Sequence, residues 1–168
     1  MVKMAAILDT KEEIFDLLSQ IPDPEIPVIN IRELGVLRDV ELGENSCTVT
    51  ITPTYSGCPA MKMIEDEIIS LLKEQRIENV KIKMVYSPAW TTDWMTDKAK
   101  EKLRAYGIAP PEKTTIDKGV LLGKEKIVKC PQCGSKNTVM KSQFGSTACK
   151  ALYQCKDCLE SFDYFKCI

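Results

Sequence analysis

The sequence predicts an α+β fold: a small three-strand sheet covered by helices in the order α-β-β-α-β-α, followed by a cysteine-rich β module. Three observations carry this reading. Apolar residues recur at helical spacing in three stretches, and short runs between them alternate apolar and polar residues as half-buried strands do. Near the C-terminus, four cysteines fall into two Cys-x-x-Cys pairs. With 168 residues and 44% hydrophobic content, the chain is long enough for one substantial core and a small appendage.

The first helix is expected over residues 9–21. Thr10 and Glu13 have capping-box spacing, and Ile14, Leu17, Leu18 and Ile21 form one apolar face. It must stop before Pro22, Pro24 and Pro27, which hold the intervening Asp23-Pro-Glu25 segment extended. Residues 36–42 and 47–53 read as a hairpin turning at Glu44-Asn45, with Cys47, Val49 and Ile51 on the buried face; Cys47 is then an inert core residue. A second helix is expected from Pro59 to about Gln75, presenting Ile64, Ile68, Leu71 and Leu72. Asn79–Ser87 reads as a third strand, and Thr92–Tyr106 as a third helix closed by Gly107. The expected domains are therefore 1–109, a Pro-rich polar linker at 110–125, and the cysteine module at 126–168.

In that module Cys130-Pro-Gln-Cys133 and Cys155-Lys-Asp-Cys158 each place two sulfurs on one side of a tight turn. Two such turns facing each other make a tetrahedral thiolate cage, which zinc accepts without electronic preference, so a zinc-ribbon-like module with a structural zinc is expected. Residues 134–154, between the pairs, suffice for a connecting hairpin, and Gly134 supplies a residue free to adopt positive φ after the first pair. The competing reading is two disulfides. Met1–Thr10 contains no apolar run of the secretory kind, and no stretch approaches bilayer length, so a cytoplasmic chain is expected, with its eight cysteines serving metal or thiol chemistry. Thiolate cages also accept a single iron or a cluster, and the spacing leaves these open.

Histidine is absent, which excludes imidazole acid–base steps, Ser-His and Cys-His nucleophiles and every histidine metal site. The net charge is −1. Between Lys118 and Ile168, however, nine lysines face four acidic residues. Four thiolates around one divalent zinc would offset that excess, and basic–aromatic interleaving is lacking, so no nucleic-acid partner is expected.

Four further features offer chemistry. Cys58, between Gly57 and Pro59, falls where a strand ends and a helix begins. Pro at the first helical position would make Cys58 the N-cap, where free N–H groups and the helix dipole favour thiolate; otherwise it merely caps the helix. Asp23 and Glu25 flank Pro24 and suit a hard or borderline cation, or form a solvated turn. Trp90 and Trp94 either pack the third helix or present an aromatic surface to a partner. Cys149 and Cys167 miss ferredoxin spacing; they are buried sulfur by default, or auxiliary thiols in cluster transfer.

Asp23-Pro-Glu25-Ile-Pro, Leu34-Gly35, Gly57-Cys58-Pro59 and Pro88-Ala-Trp90 followed by Met95-Thr96 resemble the SufT-like family over roughly residues 14–108. The resemblance implies a compact α/β domain that assists iron–sulfur cluster assembly, with Cys58 as its functional cysteine and Asp23–Glu25 within its signature. The chain departs from that pattern at Pro53-Thr-Tyr-Ser-Gly57, where the family usually shows a Thr/Leu-rich approach to its cysteine. With the cysteine-rich tail and its stretches Phe144–Ala151 and Phe162–Cys167, the chain is similar to members that serve the phenylacetyl-CoA monooxygenase system. This implies a non-enzymatic accessory factor in aerobic phenylacetate degradation. Its implied partners are subunits of that multicomponent monooxygenase, its [2Fe–2S] reductase first, with a transient iron–sulfur cluster or iron as cargo. The competing classes are a thiol oxidoreductase using Cys58 and a structural adaptor without cysteine chemistry. Homo-oligomerisation stays open, and no segment points to a membrane partner.

Overall fold

The computed structural model describes residues 8–112 and 126–166. Its contacts divide the chain into two compact units, Met1–Trp90 and Thr91–Ile168.

In the first unit, helix α1 (Lys11–Leu18) opens with the expected capping box: Thr10 accepts from the Glu13 N–H, and the Glu13 carboxylate accepts from the Thr10 N–H at 2.9 Å. It ends before Ile21, where the Gln20 and Ile21 N–H groups bond the Leu17 and Leu18 carbonyls three residues back, each at 3.1 Å. Ile21 is still buried, held by the Ile31 N–H at 3.1 Å. Strands β1 (Leu37–Gly43) and β2 (Ser46–Ile51) form the expected hairpin, with Asn45 in the left-handed region at φ 54°. Strand β3 (Asn79–Met84) pairs with β2 in parallel, Val49 opposite Ile82, giving the order β1-β2-β3. A parallel pair needs a crossover, and α2 (Ala60–Glu74) supplies it. The side chains of Ile64, Ile68 and Leu72 from α2, Ile14 and Leu18 from α1, and Val40, Val49 and Ile51 from the sheet are all buried. Cys47 joins this core as expected, and burial pushes its thiol up to about 11. Strand β3 is an edge, and its apolar face is only partly covered.

The second unit begins with a short 3-10 turn (Thr92–Trp94) and helix α3 (Asp97–Ala105). The single helix expected over Thr92–Tyr106 is broken at Met95, which is extended (φ −70°, ψ 136°). Two threonines each start their own turn: Thr91 accepts from the Asp93 N–H, and Thr96 from the Ala99 N–H at 3.1 Å. Gly107 closes α3 at φ +91°. The sheet that follows contains β4 (Ile108–Ala109), β5 (Thr138–Ser142), β6 (Lys150–Cys155) and β7 (Ser161–Phe165) in the order β4-β7-β6-β5. Strand β4 runs parallel to β7, Ile108 opposite Asp163. Residues 108 and 109 thus share the cysteine module's sheet. Of the linker expected at 110–125, residues 113–125 lie outside the described residues. The core of this sheet comprises Ala109, Val128, Cys130, Ala151, Tyr153, Cys155, Phe162 and Tyr164. Tyr153 stacks on Phe162 (centroids 6.0 Å apart) and meets Tyr164 edge-on at 5.7 Å.

Candidate metal centre and thiol loop

The two Cys-x-x-Cys turns face each other, and the sulfurs of Cys130, Cys133, Cys155 and Cys158 all lie within 4.8 Å of one another. Cys130 and Cys158 are 3.8 Å apart, Cys133 and Cys155 3.5 Å. A tetrahedral zinc with Zn–S bonds of about 2.3 Å requires sulfur–sulfur edges of about 3.8 Å, so the donor set fits. All four are free thiols, which sets aside the two-disulfide reading. Their ionisation is mutually constrained. Hydrogen bonding from the Cys158 N–H, against burial and with help from the Asp157 N–H, pulls Cys155 down to about 7. For Cys158 the Glu160 N–H pulls the same way, but burial and the neighbouring thiols push it up to about 12. A divalent cation is what allows all four to be thiolates together.

Each turn is built by the same local device. The Cys130 N–H bonds the Ser135 carbonyl at 2.8 Å, and the Cys155 N–H bonds the Glu160 carbonyl at 2.9 Å. The residue after each second cysteine is left-handed: Gly134 at φ +77°, as expected, and Leu159 at φ +65°, which the sequence reading passed over. It also missed a polar tie between the turns. Asp157, inside the second Cys-x-x-Cys, accepts from the Ser135 hydroxyl and from Asn137 Nδ2 at 2.7 Å. These hydrogen bonds, Ser135 first, hold the Asp157 carboxyl below its ordinary value. Hydroxyl and amide residues directly after the first pair, and a carboxylate inside the second, were the available signal.

In the first unit, Tyr55 to Cys58 form a tight turn. The Cys58 N–H bonds the Tyr55 carbonyl at 3.3 Å, and Gly57 sits at φ +79° in the third position. Nothing lies within 4 Å of where a Gly57 side chain would begin, so the turn is open on that side. The α2 N-cap is Pro59 (φ −68°, ψ −24°), one residue after Cys58. Here the thiolate expectation is corrected. Burial is the largest influence on the half-buried Cys58 thiol and raises it above its ordinary value. The Ala60 N–H and the side chains of Thr54 and Tyr55 pull it down, the Glu25 carboxylate pushes it up, and the net shift is upward.

The Asp-Pro-Glu loop divides its labour. Asp23 is buried, and its Oδ1 accepts from the N–H groups of Glu25 (2.9 Å) and Ile26 (2.8 Å), so it shapes the loop. Glu25 is only partly buried, and its charge bears on Cys58. Loop and thiol, some thirty residues apart in the chain, are thus near enough for the carboxylate's charge to act on the thiol.

The remaining candidates separate clearly. Trp90 is buried, 3% exposed, and its indole N–H donates to the Leu34 carbonyl at 3.0 Å, so it packs rather than presenting a surface to a partner. Trp94 is half-buried. Cys149 is buried, outside the four-sulfur group, 3.0 Å from the Thr147 hydroxyl. Cys167 lies outside the described residues. Among the described residues, no helix is long and apolar enough to cross a membrane.

Comparison with known proteins bears on both sites. The family model described as iron-sulfur cluster assembly protein matches residues 11–84, and that of the PaaD zinc beta ribbon domain matches residues 114–166. The chain is 48% identical to a putative 1,2-phenylacetyl-CoA epoxidase component of Escherichia coli K12, over 93% of this chain and 92% of the relative. It is 37% identical to an Fe-S protein maturation auxiliary factor of Porphyromonas gingivalis, over 57% of this chain and 92% of that protein. A domain of unknown function from Bacillus anthracis, solved as a crystal structure, superposes with a TM-score of 0.52 at 27% identity, covering 55% of this chain and 90% of that one.

Proposed function

Because this chain belongs to the PaaD family, an iron–sulfur cluster assembly domain followed by a zinc β-ribbon, we propose that it is a non-enzymatic maturation factor that helps load a cluster onto a component of a phenylacetyl-CoA monooxygenase. The client in this reading is the [2Fe–2S] reductase. Cys58 serves as the transfer ligand, Glu25 assists it, and Asp23 holds the loop in shape. The ribbon carries a structural zinc on Cys130, Cys133, Cys155 and Cys158.

The observation that carries the reading is the half-buried Cys58 thiol beside an open glycine turn, within reach of the Glu25 charge. A thiol raised by burial and by a neighbouring carboxylate stays protonated at rest. An arriving iron cation reverses both influences, so such a site responds to metal more than to electrophiles. The same observation weighs against the thiol-oxidoreductase reading, since disulfide exchange runs through the thiolate.

The test uses full-length protein purified without oxygen, as wild type and as Cys58→Ser. Each is reconstituted with iron and sulfide, then mixed with the cluster-free reductase. The wild type should restore the reductase's visible spectrum, and the variant should do so at least about tenfold more slowly, the cost of one missing ligand. Both should retain about one zinc per chain. Equal transfer by the variant would refute the role of Cys58 and favour the adaptor reading.

A further inference from the structure

Beside the first cysteine turn the second unit carries a cavity of about 370 Å³ that the cluster reading does not use. Lys100 and Arg104 line it from α3, four residues apart and so on one helix face, and Lys126 and Lys129 line it from the irregular segment leading to Cys130. Among the described residues, Glu112 is the one carboxylate in the lining. Among the described residues none of the four cations makes an ion pair, and they outnumber the Glu112 carboxylate and the thiolate of Cys130 in the lining.

The cations are held in place by what surrounds them. The Lys126 ammonium sits 5.2 Å from the centroid of the buried Tyr164 ring, and the Lys129 stem packs against Gly134. Like charges at i and i+4 work against a helix, yet α3 keeps Lys100 and Arg104 together on the cavity wall. Pro110, Pro111 and Tyr164 supply apolar walls. A lone inorganic anion would leave most of this volume empty, and the volume falls in the span of about 300–1,000 Å³ typical of small-molecule sites. The charge calls for more than one negative group, and the walls call for a flat apolar portion. We propose that this cavity binds a phosphorylated small molecule of nucleotide size, its phosphates between the four cations and its ring system against the proline and tyrosine walls.

Cys130, Pro131 and Gly134 belong to the same lining, so the cavity depends on the first cysteine turn being formed. The experiment is therefore calorimetric titration of the full-length, zinc-loaded protein with adenosine diphosphate, adenosine and inorganic phosphate at low salt. The expected result is saturable binding of the diphosphate with Kd below about 1 mM, at least tenfold tighter than either fragment. Binding should weaken a further tenfold or more in the double variant K100Q/R104Q, whose circular dichroism should match the wild type. Lys129→Glu provides an independent arm outside α3 and should lose binding equally. Absence of diphosphate binding, equal affinity for phosphate alone, or undiminished binding in the folded variants would overturn the proposal. Tighter binding of a single-stranded oligonucleotide than of the diphosphate would overturn it in favour of a nucleic-acid surface.

Discussion

Removing the metal from the four-cysteine centre should unfold the second unit and leave the first intact. The magnitudes decide this. The second unit spans Thr91–Ile168, and globular units of that size are stable by about 4–12 kcal/mol. A structural zinc on four thiolates contributes about 10–16 kcal/mol at neutral pH. The metal's contribution is therefore comparable to or larger than the unit's whole stability. Two of its ligands, Cys130 and Cys155, lie in the hydrophobic core, so the cage and the core form or fail together. The first unit has a separate core of aliphatic side chains from α1, α2 and its sheet and needs no metal to keep it. The assay is amide hydrogen exchange on the full chain before and after a strong chelator at pH 7. Amides of Ala151, Tyr153, Phe162 and Tyr164 should lose protection, while those of Val49, Ile51 and Ile68 keep it. Ile108 and Ala109 should follow the cysteine sheet, because β4 bonds β7. Persisting protection of Tyr153 and Phe162 in metal-free protein would refute the reasoning.

Three other outcomes follow from single residues. Alkylation of Cys58 by iodoacetamide should rise with pH through a midpoint above that of an ordinary cysteine thiol, since the folded thiol is raised, and Glu25→Gln should move that midpoint down by removing a negative neighbour. Leu159→Gly should stabilise the ribbon by about 0.5–1 kcal/mol, read as a higher melting temperature, because relief of about 1–2 kcal/mol of left-handed strain exceeds the entropic cost of glycine. Trp90→Phe should cost about 2–4 kcal/mol in denaturant unfolding of the first unit, through the orphaned Leu34 carbonyl and the smaller ring.

What the sequence made legible was local. The Thr10–Glu13 box, the Glu44-Asn45 hairpin and the paired cysteines each act through neighbours a few residues apart, and each formed as expected. The pairing of β2 with β3 in parallel was not legible, because alternation reports a strand's faces and not its neighbour's direction. Nor was the recruitment of Ile108–Ala109 to β7, a pairing across more than fifty residues of chain. The break at Met95 was written in two threonine caps, but the helical spacing on either side concealed it. At Cys58 the helix start was expected one residue early, since Pro59 and not Cys58 is the N-cap, and the ionisation was not foreseen. A helix start favours thiolate by rule, whereas burial and Glu25 belong to the tertiary structure.

The short strand β4 sets where this protein can be cut. Division after residue 109 separates β4 from the ribbon and strips Ile108 and Ala109 from β7, leaving Asp163 and Tyr164 on an unpaired edge. Bare edges of apolar strands recruit other chains, so a ribbon expressed from residue 110 onward should aggregate. Division after Trp90 keeps helix α3 and strand β4 with the sheet they complete. Any gene fusion, domain exchange or isolated ribbon therefore needs twenty or so residues that a reading by motif would assign to the other half.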